Sequence, residues 1–209
     1  MNNGAEILDN ERITNIKKLS NGDYSINGKI ETRKIINTIP LPEILLSLDK
    51  SKQIEKLACK FDYNSVVIVG VGLNSKTPGQ TSIYVPDPKI IFHRYTWMSS
   101  LIPPTDTNKS NLIAEITIPK GEIIDTKKIA SETIKNLADI GVIKDEQDVL
   151  FTKTWVNKYG YPIYTLDHNE VREKAMHILR ENGIVSVGRW GSWHYWNTDM
   201  VYKAISHEF

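Results

Sequence analysis

The 209-residue sequence predicts an α+β fold, with a mixed, mainly antiparallel sheet and flanking helices. Three observations carry that expectation. Asn-Gly pairs at 21–22 and 27–28 separate short strand-like runs, the strongest short hairpin signal. Apolar runs at 65–72, 82–85, 90–95 and 112–118 alternate in the manner of antiparallel strands. Two amphipathic stretches, after Thr126 and after Asp167, carry helix-start signals and end at glycines.

The elements follow in order. Residues 12–17, 24–26 and 29–32 read as strands joined by the Asn-Gly turns. Residues 34–39 read as a buried strand ending in a Pro-punctuated turn, and Pro42 suits the first turn of a helix running through Leu48. The β-branched run 65–72 is the central strand, and residues 103–110 form a polar loop. Thr126 is positioned to cap a helix with Ile129, Ala130, Ile134, Leu137 and Ala138 on one face, closed by Gly141. Residues 150–156 return as a strand. Asp167-His-Asn-Glu170 has the look of a capping box, opening a helix with Val171, Ala175, Ile178 and Leu179 inward and Asn182-Gly183 at its end. A short buried strand at 184–187, a loop at 188–196 and a helix from the Asn197 cap through Ile205 complete the chain. The opening hairpins have no evident element to pack on, which suggests a piece of a longer protein.

Composition excludes several classes. Lys+Arg number 26 against 25 Asp+Glu, a net charge of +1, so neither nucleic acid nor an acidic membrane is an expected partner. The single Cys59 permits no internal disulfide and fits a reducing compartment, so a cytoplasmic location is expected. No apolar run approaches the ~20 residues of a membrane span. Residues 1–6 lack the basic and apolar regions of a signal peptide. The five histidines have no metal-ligand spacing, and no metal is expected.

The chemistry-bearing residues concentrate in Gly188-Arg-Trp-Gly-Ser-Trp-His-Tyr-Trp-Asn-Thr-Asp-Met200. Glycines let backbone approach a ligand, aromatics offer faces, and a helix start near Asp199 and Met200 offers free N–H groups at a positive dipole end. With Arg189 beside them, the residues suit a flat, partly anionic ligand. They also suit a hydrophobic plug of four aromatics. Val66-Val-Ile-Val-Gly70-Val-Gly72 imitates a dinucleotide-binding turn, but Ser75 stands at the third glycine position and Pro78-Gly79 where a helix must begin. It reads as a core strand. Arg94 suits a bidentate grip on a phosphate or carboxylate, or a surface ion pair. Glu115, in an apolar strand, reads as a perturbed acid, as a solvent-facing residue or as a structural partner of Arg94 or a lysine. Tyr159-Gly-Tyr161-Pro-Ile-Tyr164 reads as a ligand rim or as core aromatics.

The 188–199 segment resembles the C-terminal flavin-contacting motif of UDP-galactopyranose mutase and related amine oxidase-like and protoporphyrinogen oxidase-like flavoproteins, roughly G-R-x-G-x-Y-x-Y-x-[ND]-M-D. Residues 33–42, Tyr84-Val-Pro-Asp-Pro88 with Phe92-His-Arg94, 112–119 and Tyr161-Pro-Ile-Tyr164 are similar to the same group. The resemblance runs along nearly the whole chain but covers only the family's second half. Thr198 departs from the usual methionine and Trp193 from a tyrosine.

The resemblance implies that residues 1–38 are a fragment of the FAD-binding domain, 39–165 a substrate-binding domain, and 166–209 a helix-strand-loop-helix that contacts the flavin. It implies that Gly188, Arg189, Trp190, Asn197, Thr198, Asp199 and Met200 bind FAD. It implies that Arg94, Tyr161, Tyr164 and Tyr195 line the substrate side. The intact parent is expected to be an FAD-dependent oxidoreductase acting on a small molecule, with a nucleotide-sugar mutase as the alternative. In the mutase reading Arg94 and Arg189 clamp a diphosphate. The G-x-G-x-x-G that seats the FAD pyrophosphate is missing here, so this chain alone is expected to be inactive and to need an N-terminal FAD-binding domain as its partner. A third reading, from another class, is a non-catalytic module whose Trp190, Trp193 and Trp196 stack on sugars or peptides. The substrate, the electron acceptor and the oligomeric state are not legible.

Overall fold

The computed structural model describes residues 4–48 and 51–206. The chain divides into two compact units, residues 1–62 with 162–209, and residues 63–161.

The first unit opens with β1 (Ile16–Lys18), β2 (Tyr24–Ile26) and β3 (Ile30–Thr32), an antiparallel meander. Both Asn-Gly turns form. Asn27 and Gly28 hold φ of 53° and 69°, the left-handed pair that a tight hairpin turn requires. Next come β4 (Ile35–Asn37), α1 (Leu41–Leu48) and α2 (Lys52–Cys59). The last is a helix not predicted from the sequence. It is capped by the Ser51 hydroxyl, which accepts the Ile54 N–H. The hairpins are not unsupported, contrary to expectation. Ile16 and Tyr24 are buried, and the Tyr24 hydroxyl donates to the Asn182 carbonyl.

The second unit holds β5 (Tyr63–Leu73), β6 (Ser82–Tyr84), β7 (Arg94–Trp97), α3 (Met98–Leu101), β8 (Ser110–Pro119), α4 (Thr126–Asp139) and β9 (Val149–Pro162). The sheet order is β6-β7-β8-β5-β9, with β5 and β8 antiparallel from Asn64↔Pro119 to Leu73↔Ser110. Val67, Val69, Val71 and Leu73 alternate onto one face, where they meet Leu112, Ala114, Ile116 and the Ile129 and Leu137 side of α4. On the other face Gly70 and Gly72 make room for rings of β9. A Cβ at Gly70 would fall 2.9 Å from a Trp155 ring carbon, and one at Gly72 2.2 Å from a Phe151 ring carbon. The glycines that imitate a dinucleotide turn therefore serve sheet packing, in a strand that no helix follows.

Two details correct the sequence reading. Asp125, not Thr126, caps α4, its carboxylate accepting the N–H groups of Lys127 and Lys128. The strand expected at 90–95 begins only at Arg94, because Ile90 closes a turn onto the Asp87 carbonyl and the Ile91 N–H donates to the Asn136 side chain.

The chain then completes the first unit with α5 (His168–Glu181), β10 (Ile184–Ser186), α6 (Gly188–Gly191) and α7 (Thr198–Ile205). β10 pairs with β4 in parallel, Ile184↔Ile35 through Ser186↔Asn37. α5 buries Val171, Ala175 and Leu179. Asp167 stands at its start but does not cap it, because the carboxylate is taken by the Thr165 hydroxyl and the Lys60 ammonium.

A latched loop as the candidate functional site

The loop expected at 188–196 begins as one helical turn and is fastened from below. Parallel pairing sets Ser186 beside Asn37, whose amide donates to the Ser186 hydroxyl at 2.7 Å. That hydroxyl donates in turn to the Gly191 carbonyl at 2.6 Å. A Cβ on Gly191 would stand 2.8 Å from the Asn37 carbonyl oxygen, so only glycine fits there. Gly188 is needed for a different reason. Its φ is 82°, and nothing lies within 4 Å of where its Cβ would be. Gly188 is itself buried, so what the position demands is conformation rather than space.

Trp193 drives the loop into the core. It is fully buried despite a left-handed φ of 53°, its ring edge-on to Phe61 at 5.2 Å and to Trp190 at 5.7 Å. Trp193 therefore offers no face to a ligand, which leaves Trp190 and Trp196 of the three tryptophans expected to form a stacking wall. The remaining aromatics are partly exposed.

Arg189 is the brace of the loop. Its guanidinium donates to the Trp196 carbonyl at 2.9 Å and lies over the rings of Tyr195 at 4.6 Å and Trp190 at 5.4 Å. It thus carries a positive charge held in place by three neighbours. α7 follows directly. Its first helical hydrogen bond runs from the Val201 N–H to the Asn197 carbonyl, so the N–H groups of Thr198, Asp199 and Met200 lie ahead of it. Asn197 stands at the cap position as expected, but its side chain bonds none of them.

A cluster that the sequence did not bring together holds the loop's far end. The Tyr164 hydroxyl accepts the Tyr195 N–H at 2.8 Å and meets His194 Nδ1 at 3.4 Å. His168 packs against Tyr164 at 4.1 Å with the rings tilted by 41°, His194 stacks on Trp196 at 4.2 Å, and the two imidazoles are 6.2 Å apart. Arg172 donates to the Ser192 carbonyl at 2.7 Å. His168 is buried, and its Nε2 has no hydrogen-bond partner. Burial lowers the pKa of both imidazoles, with Arg172 the second cause, and His194 is brought down to about 4.

Of the residues singled out in the sequence, Gly188, Arg189, Trp190, Tyr195, Asn197, Thr198, Asp199, Met200 and Tyr164 lie in the first unit, around this loop. Arg94 and Tyr161 belong to the second. Arg94 is engaged there. Its Nε and Nη2 donate to the two oxygens of Glu115 at 2.9 and 2.6 Å, and Nη1 donates to the Tyr84 hydroxyl at 3.0 Å. Its hydrogen bonds to Glu115 hold the guanidinium charged, despite partial burial. Glu115 is 8% exposed and paired with Arg94, so it does not face solvent and of its readings the structure gives the ion pair. Beside it, burial pushes the His93 pKa down. Tyr161 lies partly buried near the end of β9. Among the described residues no cluster could hold a metal ion, and no helix is long and apolar enough to cross a membrane.

No family model matches the chain. The structure nevertheless superimposes on that of reduced UDP-galactopyranose mutase with a TM-score of 0.76 at 20% identity, over 88% of this chain and 41% of that one. This chain has the fold of the corresponding part of that protein. The same architecture recurs in a putative protoporphyrinogen oxidase from Exiguobacterium sp. 255-15 (TM-score 0.66, 14% identity, 94% of this chain and 46% of that). It recurs again in a fatty acid isomerase from P. acnes (TM-score 0.63, 17% identity, 94% and 47%). The shared fold is mixed α+β, with a mainly antiparallel sheet and flanking helices. The chain spans under half the length of each of these proteins.

Proposed function

We propose that this chain is the substrate-domain portion of a longer FAD-dependent oxidoreductase, and that loop 188–197 with the start of α7 meets the flavin. The observation that carries the reading is a braced arginine beside an uncapped helix start, on a fold shared with reduced UDP-galactopyranose mutase. The donor set fits the anionic edge of a flavin. Thr198, Asp199 and Met200 supply backbone N–H groups at the positive end of α7. Arg189 supplies a fixed charge, and Tyr195, half exposed, faces the substrate side. Bound FAD would supply the electron acceptance, for which no side chain here is suited. The nucleotide half of FAD has no seat in these residues, because the glycines of β5 are filled by Trp155 and Phe151. An N-terminal dinucleotide-binding domain is the partner this reading requires.

The mutase alternative is favoured by the higher TM-score to UDP-galactopyranose mutase than to the other flavoproteins. In that case Arg94 would have to share its charge between a diphosphate and Glu115. The test for both readings is the intact parent, purified and assayed for bound flavin. Flavin in stoichiometric amount, lost in Asp199→Pro, which removes a donor N–H at the helix start, supports the site. A colourless protein that cannot be reconstituted with FAD overturns it. A UDP-sugar that protects the reduced parent from proteolysis separates mutase from oxidoreductase.

A further inference from the structure

We propose that His168 and His194 form a proton-sensitive latch with Tyr164, closed while both imidazoles are neutral, that holds loop 188–197 against α5. The latch belongs to the loop itself and acts whether or not the loop meets a flavin. Its parts come from three places: Tyr164 before the helix, His168 on its first turn, and His194 in the loop. The Tyr164 hydroxyl is the catch, since it takes the Tyr195 N–H and contacts His194 Nδ1. His168 forms the back wall, packed on the Tyr164 ring.

The closed arrangement has no room for a second proton on either ring. Protonating His168 would place an N–H donor at Nε2, which is buried without an acceptor. Protonating both would set two cations 6.2 Å apart, next to a third on Arg172. The charged neighbours on each side are accounted for. From α5 come Arg172, which opposes protonation of both rings, and Glu173, which favours it weakly at His194; Asp167, just before α5, favours it at His168. Asp167 is itself occupied by Lys60, and the Arg172 guanidinium by Ser192 and Glu173. Both carboxylates are already engaged, Asp167 by Lys60 and Thr165 and Glu173 by Arg172 and Arg180, so each offsets only part of an added charge.

The sign follows from the depressed pKa values. The closed latch is at full strength above the ordinary imidazole value of 6.5 and weakens as pH falls toward the value of about 4 held by His194 in the closed state. If the open loop restores 6.5, the opening equilibrium rises up to about thirty-fold between pH ~7.5 and ~5.

The test is amide hydrogen exchange on this chain, corrected for intrinsic pH dependence, at pH ~7.5 and ~5. The expected result is a loss of protection of ten-fold or more at the Tyr195 amide and its loop neighbours, with the β5 and β8 amides unchanged. In the double variant His168→Gln and His194→Gln, the pH effect on the loop should vanish. Equal protection of the wild-type loop at both pH values would overturn the proposal, as would the same pH effect in the double variant. Should that variant not fold, NMR titration of the wild-type imidazoles decides. A His194 pKa well below 6.5 supports the latch, and a value at or above it refutes it.

Discussion

Replacing Gly191 with alanine places a methyl group 2.8 Å from the Asn37 carbonyl oxygen, and 3.3 Å from both Ser186 Oγ and Thr38 Cα. The carbonyl cannot swing aside. It accepts the Val187 N–H at 2.9 Å, next to the parallel pairing of β4 with β10. Overpacking against such a wall costs about 1–3 kcal/mol. The gain in helix propensity over glycine, up to ~1 kcal/mol, opposes it only in part, because α6 is a single turn. The net loss is about 1–2 kcal/mol, a fall of roughly 2–8 °C in Tm for a chain of this size. Gly188→Ala is the control. It has free space but a φ of 82°, so its cost of about 1–2 kcal/mol is conformational. The assay is denaturant unfolding followed by tryptophan fluorescence, to which the buried Trp193 contributes. The two variants differ in repair. Lengthening the side chain to serine should cost more at 191, where space is short, and no more at 188. A Gly191→Ala protein as stable as wild type would refute the steric account.

Other outcomes follow from the same contacts. Arg189→Ala removes a charge-assisted hydrogen bond to the Trp196 carbonyl and should cost roughly 1.5–3 kcal/mol of loop stability without any flavin present; unchanged exchange at residues 194–197 would contradict the brace. Glu115→Gln should destabilise by about 1–3 kcal/mol, less than a fully buried pair because the Arg94 side chain is 28% exposed. A double-mutant cycle with Arg94→Met should then return a coupling above ~0.5 kcal/mol. Asp125→Ala should cost α4 about 1 kcal/mol and Thr126→Ala much less, and the reverse order would overturn the cap assignment. Trp193→Ala, which empties the site of a fully buried side chain, should cost about 3–5 kcal/mol by the same unfolding assay.

Much of the fold was legible because its periodic elements are long or sharply punctuated. The alternation in β5 and β8, the apolar faces of α4 and α5, and the Asn-Gly turns all formed as the sequence implied. The errors lie where a side chain had two partners to choose between. Asp167 looked like a cap and instead took Lys60 and Thr165, while Asp125 won the start of α4 over its neighbour. α2 was missed because only Ile54 and Ala58 of its eight residues are buried, which leaves little apolar pattern to read. The loop stood out in the sequence because glycine, arginine and aromatics at that density are unusual in a core, and its contact with a flavin stands as a proposal. Its role for Trp193 was misjudged, because burial depends on Phe61, far off in sequence. The latch was not legible at all. His168 and His194 are brought together only when α5 and the loop pack, and each alone reads as an ordinary histidine.

The central claim is that loop 188–197 and the start of α7 contact a flavin in the intact parent. The visible flavin absorbance of that parent, measured for wild type and for a variant with Asp199→Pro at the helix start, tests it most directly. The account predicts a yellow wild type and a variant that folds but loses or markedly weakens flavin binding. A parent that holds flavin equally well in both forms would contradict it.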